Sequence, residues 1–284
     1  MLVLHDPQCA TYGSSMRPEQ PARVTRSVPH LQTAHPGWTW QVPAAATDET
    51  LLRGHTPAHL KRLLQPRDFD ADTPHFPGIA DHARRAVGAA CAAADTALAG
   101  TPAFSLMRPP GHHATTDQAM GFCYLNQIAL AALHAQAKGA ARIAIWDFDA
   151  HHGNGTEAIL HRRPGLLFTS VHQSPGYPGT GTTSFDNCRN WPVRPHAPRP
   201  EHLAALAASW DAVTAFKPDL VLVSAGFDAY AQDPITSMTL EAEDFATLGR
   251  WLRESGLPAA AILEGGYSAD LPQLIDAFLT AWAG

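Results

Sequence analysis

Long apolar runs are missing from this sequence: nowhere do about 18 such residues follow one another, as a membrane-spanning helix requires. The opening Met1-Leu2-Val3-Leu4-His5-Asp6-Pro7 has neither a basic start nor an extended apolar core, so no secretory leader is expected. Basic residues are outnumbered, 20 Lys and Arg against 26 Asp and Glu, and the formal net charge of −6 argues against sequence-independent binding to nucleic acid, which needs a basic face. Such a balance is compatible with a cationic substrate. Cysteine is scarce and scattered: Cys9, Cys91, Cys123 and Cys188 contain no Cys-x-x-Cys pair. A cysteine metal site is therefore not expected, and buried thiols in a reduced, cytoplasmic protein are the simplest account. Internal repeats, charge blocks and flexible linkers are absent too, so residues 1–284 read as one domain.

What is present is an alternation of strand-like and helix-like stretches from about residue 80 onward. Short runs apolar on both faces occur at Ala103–Met107, Ile143–Trp146, Leu166–Val171, Leu220–Ala225 and Ala259–Leu263. Bounded by Pro, Gly or polar residues, they read as buried parallel strands. Helical spacing relates Leu203, Leu206, Trp210, Val213 and Phe216, and Lys217-Pro218 ends that run. A second stripe runs through Leu271, Leu274, Ile275, Phe278 and Trp282, and the alanine-rich stretch Ala80–Leu98 also reads as a helix. The expectation is an α/β fold with a mostly parallel central sheet and helices on both faces. The first 80 residues, rich in Pro and Gly, read as loops and short helices partly at the mouth of a site.

Ligands of open α/β sheets sit beyond the C-terminal strand ends, so the residues there are informative. Arg108-Pro109-Pro110-Gly111-His112-His113 follows the first run, and Asp147-Phe148-Asp149-Ala150-His151-His152-Gly153-Asn154-Gly155 the second. Ser170-Val171-His172 closes the third, Gly226-Phe227-Asp228 follows the fourth, and Glu264-Gly265-Gly266-Tyr267 follows the fifth. In extended backbone, Asp149 and His151 point the same way, and Asp228 arrives from a separate strand. Two carboxylates and one imidazole leave a tetrahedral position free for water, as in catalytic zinc sites. Taken singly, any of these residues also fits a turn former or helix cap.

Together, Arg-Pro-Pro-Gly-His-His, Gly-Phe-Cys-Tyr-Leu-Asn, Asp-Phe-Asp-Ala-His-His-Gly-Asn-Gly, Ser-Ala-Gly-Phe-Asp-Ala and Glu-Gly-Gly-Tyr resemble the signature of histone deacetylases. The resemblance is to class II enzymes and their bacterial relatives, acetylpolyamine amidohydrolases included, and spans roughly residues 105–267. Upstream, Arg17-Pro18-Glu19-Gln20-Pro21-Ala22-Arg23 is similar to the family's Pro-Glu-x-Pro-x-Arg element. The resemblance implies a three-layer arginase/deacetylase-like fold with about eight strands.

It also implies roles. Asp149, His151 and Asp228 would hold one catalytic Zn²⁺. His113 corresponds to the general base and His112 to its charge-stabilising companion, with Asp147 the partner of His112. Asn154 stands where class I enzymes carry Asp, so His113 is expected to be less basic than its class I counterpart. Tyr267, after two glycines that allow a tight turn, would donate to the tetrahedral intermediate. Gly121, Phe122 and Tyr177 match the walls of an acyl-lysine channel, and Asp70, with Asp72 as the alternative, a rim residue for the substrate backbone. Asp147, Ser170 and Val171 resemble a monovalent cation site, usually potassium. His152 and His172 read as structural, and His5, His30, His134 and His161 as surface or polar-pocket residues.

The function implied is hydrolysis of an N-acyl amine, foremost N-ε-acetyl-lysine in proteins or peptides. Little room for large insertions tilts the reading that way, while an acetylpolyamine or another small acylamine is the alternative. A non-catalytic acyl-lysine reader is the minor one, disfavoured because Tyr267 and His113 are both present. The two-manganese arginase branch is disfavoured because Ala229-Tyr230 follows Asp228 where an Asp-x-Asp pair is required. No nucleic-acid or membrane partner is expected, and homo-oligomerisation is left open.

Overall fold

Strand segments that are apolar on both faces can be buried only between two helical layers. The computed structural model, which describes residues 1–284, has eight strands in one sheet. They are β1 (Leu2–Leu4), β2 (Thr39–Gln41), β3 (Ala103–Ser105), β4 (Ile143–Asp147), β5 (Leu166–Gln173), β6 (Cys188–Val193), β7 (Leu220–Ala225) and β8 (Ala259–Leu263). Their spatial order is β2-β1-β3-β8-β7-β4-β5-β6, and every pair is parallel. The central strands β3, β4, β7 and β8 are buried along their whole length.

The helices are α1 (Ala22–Ala34), α2 (Asp48–Leu51), α3 (Pro57–Leu63), α4 (Ile79–Leu98), α5 (Gln127–Ala137), α6 (Asn154–Leu160), α7 (Arg199–Phe216), α8 (Ala242–Ser255) and α9 (Leu271–Ala283). One layer is built on α4 against α5, whose contact is lined by alanine; the other joins α1, α8 and α9 and continues through α7. Trp146 of β4 anchors that second layer: its ring lies 4.6 Å from Trp210 of α7 and 6.3 Å from Trp251 of α8, and its indole N–H donates to Ser209 Oγ at 2.9 Å. The expected stripe on α9 is buried at all five positions, and α7 stops before Lys217, which is left-handed and precedes Pro218.

Three strands escape the sequence reading. β1 and β2 lie in the segment whose sequence reads as loops and short helices, which also holds the 13-residue α1. β1 and β2 have three residues each, too few to display a period, and β2 is an exposed edge. β6 alternates buried and exposed residues and carries Pro192, a combination found at sheet edges.

One buried group is poorly accommodated. His202 in the first turn of α7 is 1% exposed, and neither ring nitrogen has a hydrogen-bond partner. Burial lowers its pKa from 6.5 to about 4, only partly opposed by Asp244. The unfolded chain thus takes up this proton first, so the contribution to stability is constant above pH 6.5 and declines as pH falls towards 4. His202→Leu should raise Tm by about 2 °C near neutrality, as expected for about 1 kcal/mol in a chain of this size, and by more at pH 5. Thermal melts at the two pH values check this; a lower Tm at both would show the imidazole to be needed.

Candidate active site

Each central strand delivers its next residues to one face, and the carboxylates there organise the turns. β4 ends on Asp147, whose Oδ1 accepts from the Asp149 N–H at 3.1 Å; Asp149 Oδ1 in turn accepts from the His151 N–H at 2.9 Å. The shared direction of Asp149 and His151 therefore comes from successive Asp-closed bends, not from the extended backbone assumed from sequence. Asp228 comes from the loop after β7, held by the Ala150 N–H on its Oδ1 at 2.8 Å. His151 Nδ1 lies 2.9 Å from Asp228 Oδ2 and 3.3 Å from Asp149 Oδ1, and one donor atom of each of the three residues falls within 4.8 Å of the others.

These residues fit a divalent cation. Asp149 and Asp228 are fully buried carboxylates side by side, and two glycines make room for them. A Cβ at Gly265 would meet both carboxylates, and one at Gly226 would meet Asp149. Asp149 stays ionised, since the neighbouring His112 and His151 overcome the effect of burial and hold its pKa well below the carboxylate range. Carboxylate oxygen with imidazole nitrogen is a donor set for zinc and similar first-row ions.

The two adjacent histidines have opposite surroundings. His112 is 3% exposed with Nδ1 3.1 Å from Asp147 Oδ2. Burial works against its protonation, but Asp149 and Asp147 prevail and raise its pKa to about 10. His113 is 4% exposed with Nδ1 2.8 Å from Asn154 Oδ1, and burial, with His112 and His151 nearby, pushes its pKa well below 6.5. An amide oxygen on Nδ1 requires Nδ1–H, which leaves the Nε2 lone pair of neutral His113 as a base.

A cavity of about 270 Å³ opens above this cluster, lined by His113, His151, Gly121, Phe122, Tyr177 and Tyr267, with Arg17, Asp72 and Ile235 also on its wall. Gly121 and Phe122 both have positive φ, +57° and +68°. A bulky residue rarely adopts that conformation; here the Phe122 N–H is held by Thr73 Oγ1 at 3.0 Å. The close ring pairs are Phe122 with Tyr267, 5.7 Å apart, and Tyr177 with His113, 5.0 Å apart. Burial keeps the Tyr267 phenol protonated by raising its pKa well above 10.

Asp70 does not line the cavity. Its Oδ1 closes a turn by accepting from the Asp72 and Thr73 N–H groups, at 2.9 and 2.6 Å, and Asp72 takes the wall position instead. Asp147 and Ser170 face each other in register across β4 and β5, but Ser170 Oγ is engaged by His172 Nδ1 at 2.9 Å.

Several supporting residues went unassigned in the sequence. Glu264, fully buried, accepts on Oε2 from the Gly111 and His112 N–H groups, at 2.7 and 3.1 Å, and so ties the loop after β8 to the histidine pair. Arg23 donates to the Gly266 carbonyl at 2.8 Å and to the Glu264 carbonyl, and stacks 4.9 Å from the Tyr267 ring. Glu19 grips Arg108, which is wholly buried, along one guanidinium edge, its two carboxylate oxygens accepting from Nε and Nη2. The Pro-Glu-x-Pro-x-Arg element was the signal for Glu19 and Arg23, but spacing alone does not say what they touch.

Comparison with known proteins agrees with this geometry. The histone deacetylase domain matches residues 17–282. A probable deacetylase of Methanothermobacter thermautotrophicus is 34% identical over 95% of this chain and 86% of its own length. The acetylpolyamine amidohydrolase of Mycoplana ramosa is 38% identical over 69% of this chain, which spans 61% of that protein. Among solved structures, the HD domain of HDA15 superposes with a TM-score of 0.93 at 31% identity, covering 100% of this chain and 91% of that one. Eight parallel strands between two helical layers, and His, Asp and Tyr side chains gathered at their C-terminal ends, thus have one family context: the chain belongs to the histone deacetylase family, hydrolases that act on amide C–N bonds.

Proposed function

We propose that residues 1–284 form one catalytic domain that removes an acetyl group from N-ε-acetyl-lysine in peptides or proteins, with Zn²⁺ held by Asp149, His151 and Asp228. The observation that carries this reading is the convergence of those three donor sets within 4.8 Å, beside a cavity walled by His113 and Tyr267. When bound, the ion supplies Lewis acidity, polarising the acyl carbonyl and acidifying water. His113 Nε2 takes the proton of the attacking water as the new C–O bond forms. Tyr267 donates its phenol O–H to the oxygen that gains negative charge, and the His112 imidazolium, held by Asp147, lowers the energy of that charge. Collapse breaks the C–N bond, and the proton on His113 passes to the leaving amine, releasing acetate and lysine. Gly121, Phe122 and Tyr177 form the walls for the methylene chain, and Asp72 holds the substrate backbone at the rim in place of Asp70. A potassium ion beside Asp147, Ser170 and the Val171 carbonyl belongs to the same reading.

Substrate class rests on the mouth. Arg17 is the one arginine or lysine on its wall, and Asp72 the one carboxylic side chain. A peptide backbone suits such a balanced rim, whereas a polyamine with repeated ammonium groups gains nothing from Arg17. The relationship to the Mycoplana ramosa amidohydrolase favours the second reading, an acetylpolyamine substrate.

Three outcomes are expected. Asp228→Ala loses its zinc on dialysis while keeping its fold; elemental analysis showing one zinc per chain removes Asp228 from the donor set. Tyr267→Phe retains zinc and loses roughly 10²-fold in kcat, the usual cost of one oxyanion donor; an unchanged kcat ends its role. In parallel kcat/KM measurements, acetyl-lysine peptides should exceed acetylputrescine and acetylspermidine by about tenfold or more, corresponding to about 1.4 kcal/mol of discrimination. The reverse order selects the polyamine reading.

A further inference from the structure

The loop between β7 and α8 carries a second buried carboxylate besides Asp228. Asp233 is 6% exposed and takes no part in the proton transfers above. Its Oδ2 accepts from the Tyr267 N–H at 2.7 Å, and its Oδ1 from the Ile235 N–H at 3.1 Å. The two amides belong to different loops, yet both side chains line the reaction cavity. Tyr267 follows Gly266, whose φ of +116° lies outside the range of other residues, so the local chain restrains it little. Arg23 holds the carbonyl side of this turn, at Glu264 and Gly266, and Asp233 holds the amide side.

We propose that Asp233 is the positioning residue for Tyr267: by fixing the Tyr267 amide it sets where the phenol stands over the cavity, and by fixing Ile235 it keeps the facing wall in register. This rests on Tyr267 being the oxyanion donor. The physical reason is that a donor helps only if it is already in place when charge develops; a phenol that must be drawn in from a mobile loop loses much of its benefit. A carboxylate suits the task because both oxygens accept, so one side chain spans two amides. An asparagine keeps the shape but turns an N–H₂ group towards one of them.

Asp233→Asn should lower kcat about tenfold with KM for an acetyl-lysine peptide within about twofold, because the lost interaction belongs to the transition state. Zinc content should stay at that of the unaltered enzyme. Amide hydrogen exchange should quicken in the Gly265–Ser268 segment and not in β8. The double variant Asp233→Asn, Tyr267→Phe should turn over within about twofold of Tyr267→Phe alone, since a residue acting through the phenol has nothing left to position. Multiplying losses in the double variant, or an unchanged kcat in Asp233→Asn, overturn the proposal and leave the role of Tyr267 standing. Tyr267→Phe with undiminished kcat overturns that role and this proposal with it. Should Asp233→Asn fail to fold, Asp233→Ser, which keeps one acceptor in less volume, is judged by the same cycle.

Discussion

Buried carboxyl groups are the constraint around which the rest of the molecule is arranged. Asp147, Asp149, Asp228 and Glu264 all lie at the C-terminal ends of the sheet with no solvent exposure. Isolating a carboxylate from water costs several kcal/mol even after the surroundings relax, so each must be matched. Two imidazoles answer part of this, His112 at Asp147 and His151 at Asp228. Backbone amides answer more: Ala150 on Asp228, Gly265 on Asp149, Gly111 and His112 on Glu264. Those amides come from other loops than the carboxylates they serve. The carboxyl groups that suit the site to a cation therefore also join its loops, which need no long elements of their own.

The same surroundings divide labour within one dipeptide. His112 and His113 are chemically identical and their rings lie 4.0 Å apart. One Nδ1 faces a carboxylate and the other an amide oxygen. The carboxylate stabilises an imidazolium, whereas the amide merely orients a neutral ring, and burial then decides against a second positive charge. A protonated and a neutral histidine thus arise side by side, because Asp149 and Asp147 both act on His112 whereas His113 has Asn154 as its Nδ1 partner.

The N-terminal segment is more than a rim. Glu19 binds Arg108 just before the histidine pair and lies 3.5 Å from Arg23, which holds the turn carrying Tyr267. A chain of buried charges therefore links the opening loop to both halves of the catalytic face. Arg17 and Pro18, next in sequence to this anchor, reach the cavity itself.

Much of this was legible in the amino-acid order. The central strands announce themselves because both faces are buried, which leaves runs such as Leu220–Ala225 without a polar residue until Ser224. The donors announce themselves because a strand ending on Asp or His has no packing reason to do so. β1, β2 and β6 were not legible: β1 and β2 are three residues long, too short to show a period, and β6 carries polar residues and a proline that break up any apolar run. Asp70 and Asp72 stand two apart with the same side chain, and only the turn closed by Asp70 decides that Asp72 faces the cavity. Local chemistry, in short, is written in the order of residues: which side chains can bind an ion or move a proton. Which backbone amide a buried carboxylate grips, as Glu264 does at Gly111 and Asp233 at Tyr267, depends on contacts between residues 153 and 34 positions apart, and only the folded chain brings such partners together.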